Sequence, residues 1–174
     1  NRLFNTVTMF APVFRVDEKI PAWLSHQPSV MIKSLQEHLT RKPNFNSVNV
    51  VNLPLDPKEL TRDKTYSYKA LTSGTTKVLN GDFALATTIT LKRIVKKTSF
   101  QQNHFVDVTV ESAVFVDSDY RPTEKVTHQA VFPIRNFLPT QFMSVLASPN
   151  STKIQGNLSK LIFEHAAELE TVMQ

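Results

Sequence analysis

The stretches that decide the fold are FALATTITLKRIVKK at residues 83–97 and HFVDVTVESAVFV at residues 104–116. Apolar and polar side chains alternate in both, as they do in a β-strand, where successive side chains point to opposite faces. A third alternating segment, residues 126–134, follows turn residues between Asp117 and Pro122. Because short turns join neighbouring antiparallel strands, these three segments predict an antiparallel meander with one apolar and one solvated face.

Further strand signals precede the meander. Residues 7–13 alternate in the same way, and residues 47–53 form a β-branched run that ends at a proline. Residues 65–79 are rich in Thr, Tyr and Val. They are followed by Asn80-Gly81, the dipeptide that most favours a two-residue hairpin turn, so the sequence predicts a hairpin centred on this pair.

Helical spacing occurs in two places. Met31, Leu35 and Leu39 recur four residues apart between Ser29, a favourable N-cap, and Pro43, which cannot continue a helix. Residues 17–28 before this helix contain two prolines around Trp23 and Leu24, which is typical of a connecting turn with a buried anchor.

The second helical pattern lies at the end of the chain and predicts a long helix that packs across the sheet. Its apolar face has i, i+3, i+4, i+7 spacing. The residues of this face are Leu158, Leu161, Ile162, His165, Leu169, Val172 and Met173. The predicted fold class is therefore α+β, an antiparallel β-sheet meander packed by a long C-terminal helix with a short helix after the first strand. We expect one domain over residues 1–174.

Composition excludes several functions. The chain has no cysteine, so it has neither a thiol nucleophile nor a disulfide, and its three glycines leave no room for a dinucleotide-binding or phosphate-binding loop. The formal charge of +5 favours anionic partners without naming one. No apolar run approaches the roughly 18 residues that a membrane span requires.

Candidate catalytic chemistry is sparse. The five histidines contain no i, i+4 pair that could chelate a metal, and the serines lack the glycine-rich turn of an esterase. We therefore expect no metal, no cofactor, no catalytic residue and no enzymatic activity. His128 and His165 fall on predicted apolar faces, where they either line a cavity or are hydrogen-bonded core residues. Glu111 lies in the middle of a strand and needs a partner if it is covered.

A basic stretch occupies the end of the first meander strand. Lys92, Lys96 and Lys97, with Arg93 between them, can contact the phosphates of an anionic membrane, or they can simply keep a strand edge solvated. Nucleic acid would need aromatic side chains on the same face, and only Tyr66 and Tyr68 qualify, so we do not expect nucleic acid as a partner.

The first family resemblance rests on short segments spread over about half of the chain. They are Lys42-Pro43-Asn44, Val48, Val50, Asp56-Pro57, Leu60, Glu111, Thr127, Gln129, Ala130, Asn150 and Lys153. With the order of elements, these segments resemble START-like lipid-binding domains, and among them PRELI-type phospholipid-transfer domains. The resemblance implies a helix-grip fold in which the last helix closes an apolar cavity walled by the sheet.

A second resemblance uses the end of the first long helix before residues 44–48, the strand start at residues 82–85 and the closing helix at Leu158. These features are similar to periplasmic domains of outer-membrane lipoproteins, including accessory components of lipid transport and curli-type secretion. That resemblance implies a binding or assembly module without a ligand cavity.

The leading functional hypothesis is non-enzymatic binding or transfer of a lipid or other apolar ligand between the sheet and the C-terminal helix. The alternative is a periplasmic lipoprotein domain that acts as an interaction module with a protein partner. The first predicts that Lys92, Lys96 and Lys97 meet lipid head groups, and that segments around Phe137 and Phe142 form a mouth. Both imply a membrane-proximal compartment, the periplasm or the mitochondrial intermembrane space. The expected cavity lining is Val106, Val110, Phe132, Leu161 and His165.

Overall fold

The computed structural model describes residues 5–54, 82–100, 102–116, 124–134 and 151–174. The predicted strand at residues 65–79, the Asn80-Gly81 turn, the turn from Asp117 to Pro122 and the segments around Phe137 and Phe142 lie outside these ranges. The described elements are β1 (Asn5–Ala11), β2 (Val13–Val16), α1 (Ala22–Ser25), α2 (Gln27–Thr40), β3 (Phe45–Pro54), β4 (Phe83–Lys97), β5 (Gln102–Val116), β6 (Glu124–Ile134) and α3 (Ser151–Val172).

Six strands form one mixed sheet in the described part of the chain. Its order is β3-β1-β4-β5-β6, with β2 also paired to β4. The predicted antiparallel meander is confirmed for β4, β5 and β6. However, β1 pairs in parallel with both β3 and β4. The parallel pairing of β1 with β3 arises because α2 lies between them and lets the chain re-enter the sheet in the same direction.

A proline divides the first predicted strand into β1 and β2. Both strands run parallel to β4, but the pairing shifts by one residue between Met9, opposite Leu85, and Val13, opposite Thr88. Pro12 lies at this shift and has no backbone N–H to donate to a neighbouring strand. One continuous sequence pattern therefore yields two strands along the same edge of β4.

Both predicted helices are present with longer bounds than the sequence indicated. Helix α2 begins at Gln27, before the predicted N-cap Ser29, since Pro28 is tolerated in a first turn, where no helical N–H bond is lost. The predicted connecting turn contains the short helix α1, and its anchor Leu24 is fully buried. Helix α3 begins seven residues before Leu158.

The main core lies between the sheet and the two long helices. Full burial of one such aliphatic side chain contributes about 1.5–3 kcal/mol, so this layer dominates the stability of the domain. The main core includes Val7, Met9, Met31, Leu35, Leu39, Leu85, Ile89, Val110, Val114, Leu158, Ile162 and Leu169. A smaller buried cluster on the opposite face of the sheet contains Phe10, Ala84, Ala86, Ala113 and Phe115.

Asp82 fixes the start of β4 beside β1. Its carboxylate accepts hydrogen bonds from the backbone N–H of Thr6, at 3.0 Å, and from the Thr6 hydroxyl, at 3.3 Å. The Asp82 N–H in turn donates to the Thr6 carbonyl oxygen at 2.9 Å. These reciprocal bonds set the register in which Val7 lies opposite Phe83.

Candidate functional site

The five residues predicted to line a cavity lie together in the main core between the sheet and α3. Val106 and Val110 are on β5, Phe132 is on β6, and Leu161 and His165 are on α3. Each is buried, and Phe132 is the most accessible with 9% of its surface exposed. The five side chains are therefore buried at the interface between the sheet and α3, and their role in ligand binding stays a prediction.

A chain of hydrogen bonds crosses this interface, and we call its members Thr87, Ser112, His165, His128 and Glu168 the polar chain. The Thr87 and Ser112 hydroxyls are 2.8 Å apart, and the Ser112 Oγ lies 2.8 Å from His165 Nε2. His165 Nδ1 lies 2.8 Å from His128 Nδ1. His128 Nε2 is 2.9 Å from a carboxylate oxygen of Glu168, whose side chain is 53% exposed. The polar chain thus runs from a fully buried strand to the protein surface.

The proton positions in the polar chain follow from its exposed end. A carboxylate only accepts, so His128 Nε2 carries the proton that it donates to Glu168, and in neutral His128 the Nδ1 must accept. His165 then donates from Nδ1 and accepts at Nε2 from the Ser112 hydroxyl, while the Thr87 hydroxyl donates to Ser112. Every hydrogen bond of the polar chain is satisfied when both histidines are neutral.

Burial sets the charge state of His165. Burial, and secondarily the neighbouring His128, lower the pKa of His165 from 6.5 to about 3. The His165 ring is therefore neutral across the physiological pH range, which matches the proton positions derived above. In an apolar layer a protonated imidazole would have no carboxylate beside it, because Glu168 contacts the far ring nitrogen of His128.

The polar chain contains a serine next to an imidazole, the arrangement that activates a nucleophile in hydrolases. Thr87, Ser112 and His165 each have 1% or less of their surface exposed, so the Ser112 hydroxyl contacts protein atoms only. A substrate needs a space about 3 Å from the nucleophile, and the packed interface provides none beside Ser112. The arrangement can satisfy and orient buried polar groups, and it can fix the position of α3 on the sheet.

The three predicted membrane-contact lysines lie beyond this interface, on the exposed end of β4. Lys92 and Lys96 share one face of the strand, while Lys97 is on the other. Lys96 Nζ lies 5.2 Å above the ring of Phe105 on β5. Lys92 is directly opposite Asp107 in the pairing of β4 with β5.

Arg93 connects the exposed end of β4 to the segment after β2. It donates from Nη1 to the Lys19 carbonyl oxygen at 2.9 Å and from Nη2 to His104 Nδ1 at 2.8 Å. Burial, and then the charge of Arg93, lower the pKa of His104. The hydrogen bond from the Lys19 backbone N–H, with a smaller contribution from Arg93, lowers the pKa of Asp17. Arg93 is therefore fixed in the structure, in contrast to the exposed lysines around it.

The described residues form surface grooves away from this interface. One of about 300 Å³ lies between α2 and α3 and is lined by Val30, Met31, Leu158 and Ile162 with polar neighbours. Another, of about 740 Å³, is open and lies along β2 and β4, beside Phe14 and Ile94. None of the five residues predicted to line a ligand cavity borders either groove.

The described ranges hold neither a cluster of metal-binding side chains nor a helix that could span a membrane. Within those ranges no three His, Cys, Asp or Glu side chains lie close enough together to hold a metal ion. No helix of the described chain combines the length and hydropathy that crossing a bilayer requires.

Sequence reasoning identified only part of the polar chain. His128 and His165 were noted, but their direct contact comes from the packing of α3 over β6, 37 residues apart in sequence. Thr87 and Ser112 carried a signal, since each is a polar residue at an inward position of an otherwise apolar strand face. Glu111 has the partner that its position required, Lys125 Nζ at 4.0 Å.

Together these features define a two-layer α+β arrangement, a mixed sheet with two helices on one face and the polar chain between the sheet and α3. Among solved structures, the fold is similar to that of the hypothetical protein CT253 from Chlamydia trachomatis, with a TM-score of 0.56, 14% identity and 96% of each chain covered. At this identity the likeness concerns the fold alone.

More distant structural matches were also found. Protein XCC0632 from Xanthomonas campestris, of the DUF330 family, has a TM-score of 0.47 and 9% identity, covering 97% of this chain and 82% of its own. Lipoprotein GNA1162 from Neisseria meningitidis has a TM-score of 0.44 and 9% identity, covering 93% of this chain and 98% of its own. The START-like resemblance gains no support from the fold match reported above. No protein-family model and no curated protein matches the sequence.

Proposed function

We propose that this chain is a non-enzymatic binding module of a bacterial envelope that acts through its outer surface. The observation that carries the proposal is the closed interface between the sheet and α3. A carried lipid would have to contact the predicted cavity lining. The residues of that lining are instead buried between the sheet and α3: Val106, Val110, Phe132, Leu161 and His165. A module without an internal ligand must bind its partners from outside.

The polar chain supports this proposal in a second way. A lipid tail between the sheet and α3 would separate His165 from Ser112 or from His128, which are each 2.8 Å away. Unpaired buried polar groups cost about 1–3 kcal/mol each, so opening the interface would be opposed by these bonds as well as by apolar packing. The structure is therefore built to keep α3 against the sheet.

The envelope location rests on the order of elements that resembles periplasmic lipoprotein domains. Helix α2 ends before residues 44–48, β4 starts at residue 83, and α3 closes the sheet. The partner of such a module is a protein or a membrane surface.

The rival function is carriage of a lipid or another apolar ligand in this same interface. Native mass spectrometry of the purified protein, followed by denaturing extraction, distinguishes the two. We expect the bare polypeptide mass and no uptake of fluorescent phospholipid. A stoichiometric lipid would overturn the proposal in favour of carriage.

Matched tryptophan substitutions make the test sharper. Val110 is fully buried on the face toward α3, while Val131 is exposed on the opposite face of the sheet. If a lipid occupies the interface, Val110→Trp should reduce its occupancy and Val131→Trp should not. If the interface is closed, Val110→Trp should instead lower stability by about 1–3 kcal/mol through overpacking.

A further inference from the structure

The far end of the β4–β5 hairpin exposes an aromatic side chain, and we call residues 92–100 and 102–105 the hairpin tip. Phe100 lies between the two strands with 96% of its surface exposed, the largest exposure among the large hydrophobic side chains described. Val95, on the adjoining strand end, is 40% exposed. A single exposed apolar side chain is common on a protein surface, so the significance of Phe100 depends on the charges around it.

The sequence around Phe100 is rich in basic residues. Lys92, Arg93, Lys96 and Lys97 are all basic, and the sequence contains no Asp or Glu from residue 92 to residue 106. The three lysines are exposed. A cluster of exposed cations attracts an anionic surface, and the attraction is strongest within about 8 Å at physiological ionic strength.

The geometry of the tip favours an end-on contact. Lys92 and Lys96 project from one face of the two-stranded ribbon and Lys97 from the other, because strand side chains alternate. Phe100 lies between the end of β4 at Lys97 and the start of β5 at Gln102. Lysine side chains reach phosphates while their stems cover apolar surface, and an aromatic ring is stable at the boundary between head groups and acyl chains.

Other partners fit these features less well. A nucleic acid would require aromatic side chains on one accessible face for base stacking, whereas Phe105 is covered by Lys96 and Phe100 stands at the end. A stable protein interface buries about 800 Å² on each partner, which a narrow two-stranded ribbon end does not provide by itself.

We propose that the hairpin tip docks end-on onto an anionic lipid bilayer. Phe100 then enters the boundary between head groups and acyl chains, and Lys96 and Lys97 contact lipid phosphates. This inference rests on the proposed function, since it names the outer surface and its partner. The side chains of Lys96, Lys97 and Phe100 are exposed, whereas the five residues of the core interface are buried, so either can be tested without disturbing the other.

The test is co-sedimentation of the full chain with vesicles of phosphatidylcholine and phosphatidylglycerol at 7:3, compared with pure phosphatidylcholine. Wild type should bind the anionic vesicles, with affinity that falls as salt rises. The double variant Lys96→Glu/Lys97→Glu should bind at least about tenfold more weakly. The matched control is Lys153→Glu/Lys160→Glu, which makes the same change of net charge at two exposed positions of α3 and should retain binding.

The apolar contribution is tested by Phe100→Ser, with Phe163→Ser on the exposed side of α3 as its control. Phe100→Ser should weaken vesicle binding about tenfold, and Phe163→Ser should leave it unchanged. Phe100→Trp in a Trp23→Phe background should show a blue-shifted emission only when anionic vesicles are added. Each variant is first compared with wild type by thermal unfolding.

Several results would overturn the inference. Equal losses in the two charge-reversal variants would mean that net charge alone drives binding, and equal binding to neutral vesicles would remove the role of the lysines. Binding to a labelled oligonucleotide, with none to anionic vesicles, would assign the tip to nucleic acid instead. Failure of the proposed function is separate, because it appears as a copurified lipid in native mass spectrometry whether or not the tip binds vesicles.

Discussion

The two halves of the β4–β5 hairpin belong to one continuous ladder of backbone hydrogen bonds, but their side chains differ in burial and in charge. From Phe83 to Leu91 every residue of β4 is buried, whereas from Lys92 to Lys97 the strand is partly or fully exposed. The buried half packs against apolar side chains on both faces of the sheet. The exposed half continues the same hydrogen-bonded register with β5, down to Lys97 opposite Gln102.

This contrast separates what the fold requires from what it leaves for function. A strand that is buried on both faces excludes charges and admits polar groups only if they are hydrogen-bonded, as Thr87 is to Ser112. The exposed half has no such constraint, and its cations and Phe100 contribute little to the core. Residues that stability does not explain are the stronger candidates for binding.

The largest predicted loss of stability concerns the buried half of the hairpin, where His165 of α3 contacts Ser112. His165→Ala should lower the free energy of unfolding by at least about 3 kcal/mol, because it leaves a cavity and removes the hydrogen-bond partner of both Ser112 and His128. Urea denaturation at pH 7 measures the change. The control Phe163→Ala, on the exposed face of the same helix, should cost about 1 kcal/mol or less. Similar losses at the two positions would contradict a special role for the polar chain.

The second prediction concerns pH. The pKa of His165 is lowered to about 3 in the folded state, while an unfolded histidine titrates near 6.5. As pH falls below 6.5 the unfolded chain gains a proton that the folded chain does not, so stability is complete above 6.5 and is lost progressively toward pH 3. Well below pH 6.5 this single group lowers the stability by about 1.4 kcal/mol for each pH unit.

His165→Leu isolates that contribution, since leucine has no proton to gain. Denaturation series between pH 7 and pH 4 should show a shallower loss of stability for the variant than for wild type, although the variant is less stable at pH 7. Parallel pH dependences would show that the folded His165 titrates normally. Asp17 and His104 also have lowered pKa values, and their effects remain in both proteins.

A smaller effect is expected where the buried half begins. Asp82→Ala removes the acceptor for the Thr6 N–H and hydroxyl and should cost about 1–2 kcal/mol. Asn103→Ala, at the exposed end of the same hairpin, should change stability by less than about 0.5 kcal/mol. A result in which the two positions are equally sensitive would remove the distinction between the halves.

The smallest effect is predicted at the exposed end of the polar chain. Glu168→Gln should change stability by less than about 1 kcal/mol, because the pair with His128 is partly solvated and the glutamine oxygen can still accept from His128 Nε2. Chemical denaturation at low and high salt measures it. A loss of stability comparable to that of His165→Ala would show that the polar chain depends on the carboxylate charge of Glu168 and not on the order of its protons.

The sequence predicts the meander, both long helices and the shared interface of Val106, Val110, Phe132, Leu161 and His165. Periodicity is sufficient for this, because it reports which side of each element is apolar. Periodicity does not report that β1 pairs in parallel with β3 and β4. The pairing with β3 depends on how α2 carries the chain back to the sheet.

Periodicity also cannot distinguish a filled interface from a cavity. The same apolar faces produce either, depending on how closely α3 approaches the sheet. The contact of His128 with His165 and the chain from Thr87 to Glu168 depend on that approach. Likewise, the sequence identified Lys92, Lys96 and Lys97 as a basic stretch but gave no sign that Phe100 stands exposed beyond them.

The measurement that tests the closed interface most directly is a long-range ¹H–¹⁵N correlation spectrum of the His165 ring at pH 7 and pH 5. A ring sealed between the sheet and α3 should be neutral at both values, with its proton on Nδ1 and Nε2 accepting from Ser112. We expect one set of His165 imidazole signals that is unchanged between pH 7 and pH 5. A His165 ring that becomes protonated with a pKa near 6.5 would show that solvent reaches the interface, and would contradict the closed core.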